Sequence, residues 1–198
     1  AGGSRRLSGS RLVLAGLTAG YFLSAITNLV VVLSDSRDAV RAITFWMLGS
    51  LGRSSWTDVP VLSCATALAL GYLVLRARAL DAIGLGDDVA RSMGVDPFRL
   101  RRSTTAVAAL GVAAAVAVSG AIGFVGLVVP HLARRLVGAA HRALLPAAAL
   151  LGALVLVAAD ALARTVLAPR EIPLGILTAL VGTPLLMWMM RRHRPQSH

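Results

Sequence analysis

The chain has 198 residues, of which 57% are hydrophobic and only 15% are charged, whereas soluble domains carry about 25% charged residues. A soluble fold of this size has too little interior for so much apolar surface, but a bilayer accommodates it because lipid is then the solvent. The formal net charge is +11, yet the basic residues form short clusters between apolar runs and lack interleaved aromatic residues. Composition therefore predicts a membrane protein that binds no nucleic acid.

Six segments approach or reach the length of about 17–25 apolar residues that a helical membrane crossing needs. The fourth is the shortest and contains Pro130 and an Arg pair. In chain order the segments are 12–33, 59–75, 104–122, 124–137, 144–167 and 172–190. They predict an all-α, polytopic bundle of transmembrane helices that forms a single domain over residues 1–198.

The arginines orient these spans, because cytoplasmic loops are enriched in basic residues. Fifteen of the 20 arginines precede span one, lie between spans two and three, lie at the end of span four or between spans four and five, or follow span six. These positions share one side of the membrane only if the short fourth segment crosses it; otherwise the bias shrinks. The pattern predicts six crossings with both ends of this chain in the cytoplasm.

Two loops contain further helical patterns. The predicted outer loop, 34–58, includes an amphipathic helix over 39–48 that we expect at the outer surface. The predicted inner loop, 79–102, begins with a helical turn over 79–83. Asp87 then lies at the start of a second short helix and Gly94 is placed to cap its end. This inner loop is either a surface loop or a docking element for a cytoplasmic partner.

The order of several motifs resembles the permeases of iron-siderophore and vitamin B12 ABC importers (FecCD-type). The inner loop reads LGDDVARSMGV from residue 85, where that family usually has Leu-Gly-Glu-x-x-Ala-x-x-Leu-Gly. The other matching runs are RLVLAG from residue 11, FWMLGSL from 45, GAIGFVGLVVPH from 120, DALAR from 160 and EIPLGILTALVGTP from 171. Since the family fold has ten transmembrane helices per subunit, the resemblance implies that this chain holds the last six.

The resemblance also implies the partners and the activity. The chain would be a permease subunit in the bacterial cytoplasmic membrane that carries a ferric siderophore, vitamin B12 or haem. It would pair with a second permease subunit, as a homodimer or heterodimer, and with an extracytoplasmic substrate-binding protein. A cytoplasmic ABC ATPase dimer would bind ATP and Mg. No cofactor or metal is expected on this chain itself.

Individual residues receive roles from the same resemblance. The ATPase would couple through Leu85, Gly86, Asp87, Ala90, Met93 and Gly94. Arg164, with Arg170 nearby, would contact the binding protein. The cytoplasmic gate would comprise Ser8, Gly9 and Ser10.

Local spacing suggests other interpretations for some side chains. Asp160 and Arg164 are four residues apart in the acid-first order, so they can also form an ion pair that satisfies itself within span five. The glycines Gly120, Gly123 and Gly126 would share one side if their segment is helical and would serve close packing, while Pro130 would permit a bend.

The sequence lacks the residues and motifs that two other functional classes require. An ion-coupled secondary transporter needs acidic groups near the bilayer midplane, and Asp160 is the one carboxylate within a predicted span. An intramembrane enzyme would need a nucleophile elbow, a His-Glu-x-x-His motif or paired acids within the spans, and none is present. The chain has no Lys and thus no complete Walker A motif of its own. We therefore expect a transporter subunit rather than an enzyme, with the ion-coupled transporter as the alternative.

Overall fold

The computed structural model describes the backbone of residues 9–52, 54–166 and 172–192, with side chains for residues 13–52, 54–166 and 172–187. These residues are almost entirely α-helical and include no β-strand. The helices are α1 Gly9–Val32, α2 Arg37–Met47, α3 Asp58–Leu75, α4 Ala77–Gly84, α5 Asp87–Ser92, α6 Pro97–Ser119, α7 Val125–Val137, α8 His141–Thr165 and α9 Leu174–Arg192.

The chain divides into two compact units, Ala1–Thr44 and Phe45–His198. The first unit contains α1, whose large apolar side chains, such as Tyr21 and Phe22, are exposed. It also contains the start of α2, where the Ser36 hydroxyl accepts a hydrogen bond from the Ala39 N–H at 3.3 Å. This helix confirms the helix expected over 39–48; its location at the outer surface stays a prediction.

The second unit is organised around α8. That helix packs against α3, α4, α7 and α9, while α3 also packs against α6. The link from α7 to α8 turns at Gly138, whose φ of +83° is a left-handed value that favours glycine. Among the described residues, buried side chains are few and include Ala133, Ala163 and Leu174. Many large apolar side chains face outward, as they do when lipid covers the helices.

Within the described part of the chain, four helical stretches are long and apolar enough to span a bilayer: Val13–Val32, Asp58–Leu75, Pro97–Ser119 and His141–Thr165. The stretch Leu174–Met187 is apolar but shorter. Helix α7 has 13 residues, about 20 Å at 1.5 Å per residue, which is less than the roughly 30 Å hydrocarbon core. A crossing there would need the irregular residues 120–124 as well, so the count of six crossings stays a prediction.

The end of α6 corrects one sequence expectation. The third span was predicted to run through residue 122, but α6 ends at Ser119 and residues 120–124 are not helical. Gly120 has φ +69° and ψ −169°, a combination that is essentially restricted to glycine. Because the helix stops there, Gly120, Gly123 and Gly126 do not share a helical side.

The segment that follows α6 meets two other parts of the chain through main-chain atoms; we call this contact the glycine junction, formed by Gly49, Gly120 and Gly175. The Ser50 N–H donates to the Ser119 carbonyl at 2.9 Å, and the Gly175 N–H donates to the Leu48 carbonyl at 3.1 Å. A Cβ on Gly120 would lie 2.0 Å from the Trp46 carbonyl oxygen, and one on Gly175 would lie 2.2 Å from that of Leu48. The backbones therefore approach more closely than any side chain would allow.

Candidate functional site

The α4–α5 segment, residues 77–96, is a compact helical hairpin between α3 and α6. Its turn uses Gly86 at φ +121°. Helix α5 ends in a Schellman motif, because the Gly94 N–H donates to the Arg91 carbonyl and the Val95 N–H donates to the Ala90 carbonyl, both at 2.9 Å. Gly94 has φ +77°, which confirms the capping role predicted for it. These two glycines fix the path of the segment.

Two aspartates attach the segment to α6. The Asp96 side chain caps that helix by accepting hydrogen bonds from the Phe98 and Arg99 N–H groups at 3.0 and 3.2 Å, with Pro97 at the first helical position. Asp87 and Arg101 form a two-pronged ion pair, in which Arg101 Nη1 donates to Asp87 Oδ2 at 3.0 Å. Asp87 lies in the first turn of α5, as expected, and its carboxylate is already engaged within the chain.

The predicted coupling residues separate into interior and surface positions. Ala90 is completely buried, so a larger side chain would push α5 away from its neighbours. Leu85 and Met93 are 73% and 64% exposed, and Val89 is 42% exposed. These three large apolar side chains, which we call the apolar patch, belong to a segment outside the long apolar helices.

A contact that sequence reasoning missed joins the α4–α5 segment to α8. Asp81 Oδ1 accepts a hydrogen bond from the His141 N–H at 3.0 Å and lies 2.6 Å from His141 Nδ1. Burial alone would raise the pKa of the Asp81 carboxyl, but the hydrogen bonds and the positive potential of His141 outweigh it and lower that pKa. A carboxylate only accepts hydrogen bonds, so His141 Nδ1 is the donor.

The structure forms the predicted ion pair near the end of α8. Arg164 Nε donates to Asp160 Oδ2 at 2.8 Å, and both side chains are partly exposed. The Asp160 carboxylate is therefore engaged within its own helix. Arg170 lies outside the described residues.

The remaining predicted site residues are those of the cytoplasmic gate and the glycines assigned to helix packing. Ser8 lies outside the described residues, and Gly9 and Ser10 are described only as helical backbone at the start of α1. No neighbouring atom lies within 4 Å of a Cβ built on Gly123 or Gly126, so neither makes a close packing contact in the described structure.

Pro130 lies inside α7 and is exposed, as is His131. Because Pro130 has no N–H, the Gly126 carbonyl lacks its helical donor, which allows the predicted bend. The described residues contain no group of three His, Cys, Asp or Glu side chains suited to a metal ion.

Comparison with known proteins identifies several relatives. The hemin transport system permease protein HmuU of Yersinia pestis is 42% identical over 94% of this chain and 56% of that protein. The vitamin B12 import system permease protein BtuC of Vibrio cholerae is 40% identical over 95% of this chain and 56% of that protein. The Fe(3+)-citrate import system permease protein YfmD of Bacillus subtilis is 36% identical over 93% of this chain and 54% of that protein. This chain thus spans a little over half the length of these curated relatives.

The fold also matches a solved structure described as an inward-facing conformation of a metal-chelate type ABC transporter. The TM-score is 0.86 at 35% identity, over 94% of this chain and 60% of that one. This match confirms the predicted all-helical ABC-permease fold, and together with the long apolar helices it identifies a multi-pass membrane protein. The model of the FecCD transport family matches residues 1–192, and the chain belongs to that family.

Proposed function

We propose that this chain is the C-terminal part of the permease subunit of an ABC importer, and that the α4–α5 segment is where a separate ATPase drives it. Membership of the FecCD transport family supports the activity. The capped geometry of the segment supports its role, because a docking element must keep its shape while it is pushed.

The single observation that carries this proposal is the apolar patch of Leu85, Val89 and Met93. Lipid covers exposed apolar side chains on the spanning helices, but these three lie in or directly after the short helices between spans. An apolar patch of this kind outside the bilayer marks a protein contact. The arginines in and around the α4–α5 segment favour a cytoplasmic location for it. The ATPase dimer would bind ATP and Mg on that side of the membrane.

The opposite end of α8 would face the binding protein. Arg164 is partly exposed and donates its Nε–H to Asp160. A guanidinium at a membrane surface suits a carboxylate on a soluble partner. In this arrangement a second permease subunit completes the pathway, and substrate passes from the binding protein to the cytoplasm.

The cargo is proposed by class. The relatives are named for hemin, vitamin B12 and ferric citrate, which are all metal chelates. We therefore propose a metal chelate, with ferric siderophores included. Uptake of labelled ferric siderophore, hemin and vitamin B12 into proteoliposomes that contain the full-length transporter and its binding protein identifies which one is carried.

The docking role is tested by exchanging Leu85→Gln and Met93→Gln in the full-length permease and measuring co-purification with its ATPase. Burying one such side chain contributes about 1.5–3 kcal/mol, so each exchange weakens ATPase binding by about 10- to 100-fold. Trp56→Gln is the matched control, because Trp56 is 89% exposed but is predicted on the outer side. Equal ATPase retention by all three variants would exclude the proposed docking surface.

A further inference from the structure

We propose that Asp81 and His141 form a joint through which the α4–α5 segment moves α8. The inference rests on the proposed function, since it assumes that an ATPase displaces this segment. Asp81 belongs to α4 and His141 is the first residue of α8, 60 positions later in the chain. The joint therefore connects the driven segment to a helix that packs against four others in its unit.

In the joint, one carboxylate oxygen of Asp81 accepts two hydrogen bonds from His141. Asp81 Oδ1 accepts from the His141 backbone N–H at 3.0 Å and from His141 Nδ1 at 2.6 Å. Both side chains are only partly exposed, at 40% and 29%. Ala77 and Ala82, on either side of Asp81 in α4, are nearly fully buried, so α4 packs directly against its neighbours.

The first turn of α8 depends on this contact. Its N-cap residue is Ala140, which offers no side-chain oxygen to the free N–H groups of the turn. Pro146 follows within the second turn and removes one further backbone hydrogen bond. Asp81 supplies the missing acceptor from another helix, at the positive end of the α8 dipole. The start of α8 is thus held by α4 rather than by its own sequence.

Helix α8 is suited to carry the displacement onward. It packs against α3, α7 and α9 as well as α4, so a shift at its first turn reaches the other helices of the unit. His141 and Arg164 are 23 residues apart, about 35 Å along the helix. The joint and the Asp160–Arg164 pair thus occupy opposite ends of one helix, and α8 links the ATPase contact with the proposed binding-protein contact.

A simple capping role and a joint make different predictions, because the two hydrogen bonds can be removed separately. His141→Ala keeps the backbone N–H bond to Asp81 and loses the bond from the ring. His141→Asn keeps a donor near the position of Nδ1. If Asp81 only caps α8, both variants behave like the wild type. If the joint transmits motion, the Ala variant loses coupling and the Asn variant retains it.

The test uses the full-length transporter with its ATPase and binding protein in proteoliposomes. The measured quantity is the number of ATP molecules hydrolysed per chelate transported, alongside the melting temperature of the purified complex. We expect His141→Ala to raise this ratio about three- to tenfold, the effect of losing one charge-assisted hydrogen bond at a half-exposed site. His141→Asn should stay within about twofold of the wild type by the same reasoning.

Arg142→Ala is the matched control, since Arg142 is an exposed cation in the same turn of α8 and takes no part in the joint. It should leave the ratio unchanged. An unchanged ratio for His141→Ala, or an equal rise for the Ala and Asn variants, would overturn the joint while wild-type uptake still depends on ATP. A wild-type complex without ATP-dependent uptake would instead refute the proposed function. If His141→Ala lowers the melting temperature strongly, the joint is tested instead by comparing His141→Asn with Asp81→Asn. Asp81→Asn should then raise the ratio of ATP hydrolysed to chelate transported, and His141→Asn should not.

Discussion

The glycine junction allows a quantitative prediction, because four glycines separate two physical effects. Gly120 and Gly138 have nearly the same backbone, with φ of +69° and +83° and ψ of −169° and −168°. A Cβ on Gly120 meets the Trp46 carbonyl oxygen, whereas a Cβ on Gly138 meets nothing within 4 Å. Substitution by Ala at Gly138 therefore introduces backbone strain alone, and substitution at Gly120 introduces the same strain and a collision.

The expected change in the free energy of unfolding follows from backbone strain and from the collision. A non-glycine residue in this backbone region costs about 1–3 kcal/mol. Pushing a methyl group into a packed site costs about a further 1–3 kcal/mol, so Gly120→Ala should destabilise the unit by about 2–6 kcal/mol. Gly175→Ala isolates the collision, because its Cβ would meet the Leu48 carbonyl oxygen. Gly126→Ala introduces neither effect and should stabilise α7 by about 0.5–1 kcal/mol.

The assay is thermal unfolding of the four variants of the full-length permease in one detergent, with each melting temperature compared with the wild type. Gly120→Ala should unfold at the lowest temperature, followed by Gly138→Ala and Gly175→Ala, with Gly126→Ala at or above the wild type. A Gly120→Ala variant as stable as Gly138→Ala would show that the close approach to Trp46 is absent, and the account of the junction would be wrong.

Three further predictions concern the α4–α5 segment and the outer ion pair. Asp96→Ala removes the cap of α6 and should cost about 1 kcal/mol, while Asp96→Ser should recover most of it in the same unfolding assay. Asp87→Asn in the full transporter should uncouple ATP hydrolysis from uptake without loss of folding, because the ion pair to Arg101 weakens; unchanged uptake per ATP would contradict this. Arg164→Glu should slow binding-protein association about tenfold at low salt, measured by surface plasmon resonance. That difference should shrink at high salt, and a salt-independent effect would argue against electrostatic docking.

The helices could be predicted well from the sequence because apolar run length reports directly on membrane-spanning helices. The runs at 59–75 and 124–137 agree closely with α3 and α7. The predicted third span extends beyond the end of α6, because Ala121 and Ile122 are apolar and continue the hydropathy pattern past Ser119. Hydropathy does not report that Gly120 adopts a glycine-only backbone where it meets Trp46, a residue far away in the sequence.

The site was partly predictable for a similar reason. Gly94 and Asp87 occupy their expected positions because capping is local in sequence. The contact between Asp81 and His141 depends on two distant helices and was missed. A signal was nevertheless present, since a helix that starts at His141 after Ala140 has no capping residue of its own and must find an acceptor elsewhere.

The glycine junction has a mechanical consequence for α6 and α9. The last turn of α6 and the first turn of α9 are both bound to residues 46–50 by main-chain contacts that tolerate almost no displacement. Any rotation between these two helices must therefore pivot at this end, and the separation it produces grows with distance from the pivot. Over the 23 residues of α6, about 34 Å, a tilt of only 10° moves the far end by about 6 Å, so a fixed hinge here would turn a small rotation into an opening the width of a side chain.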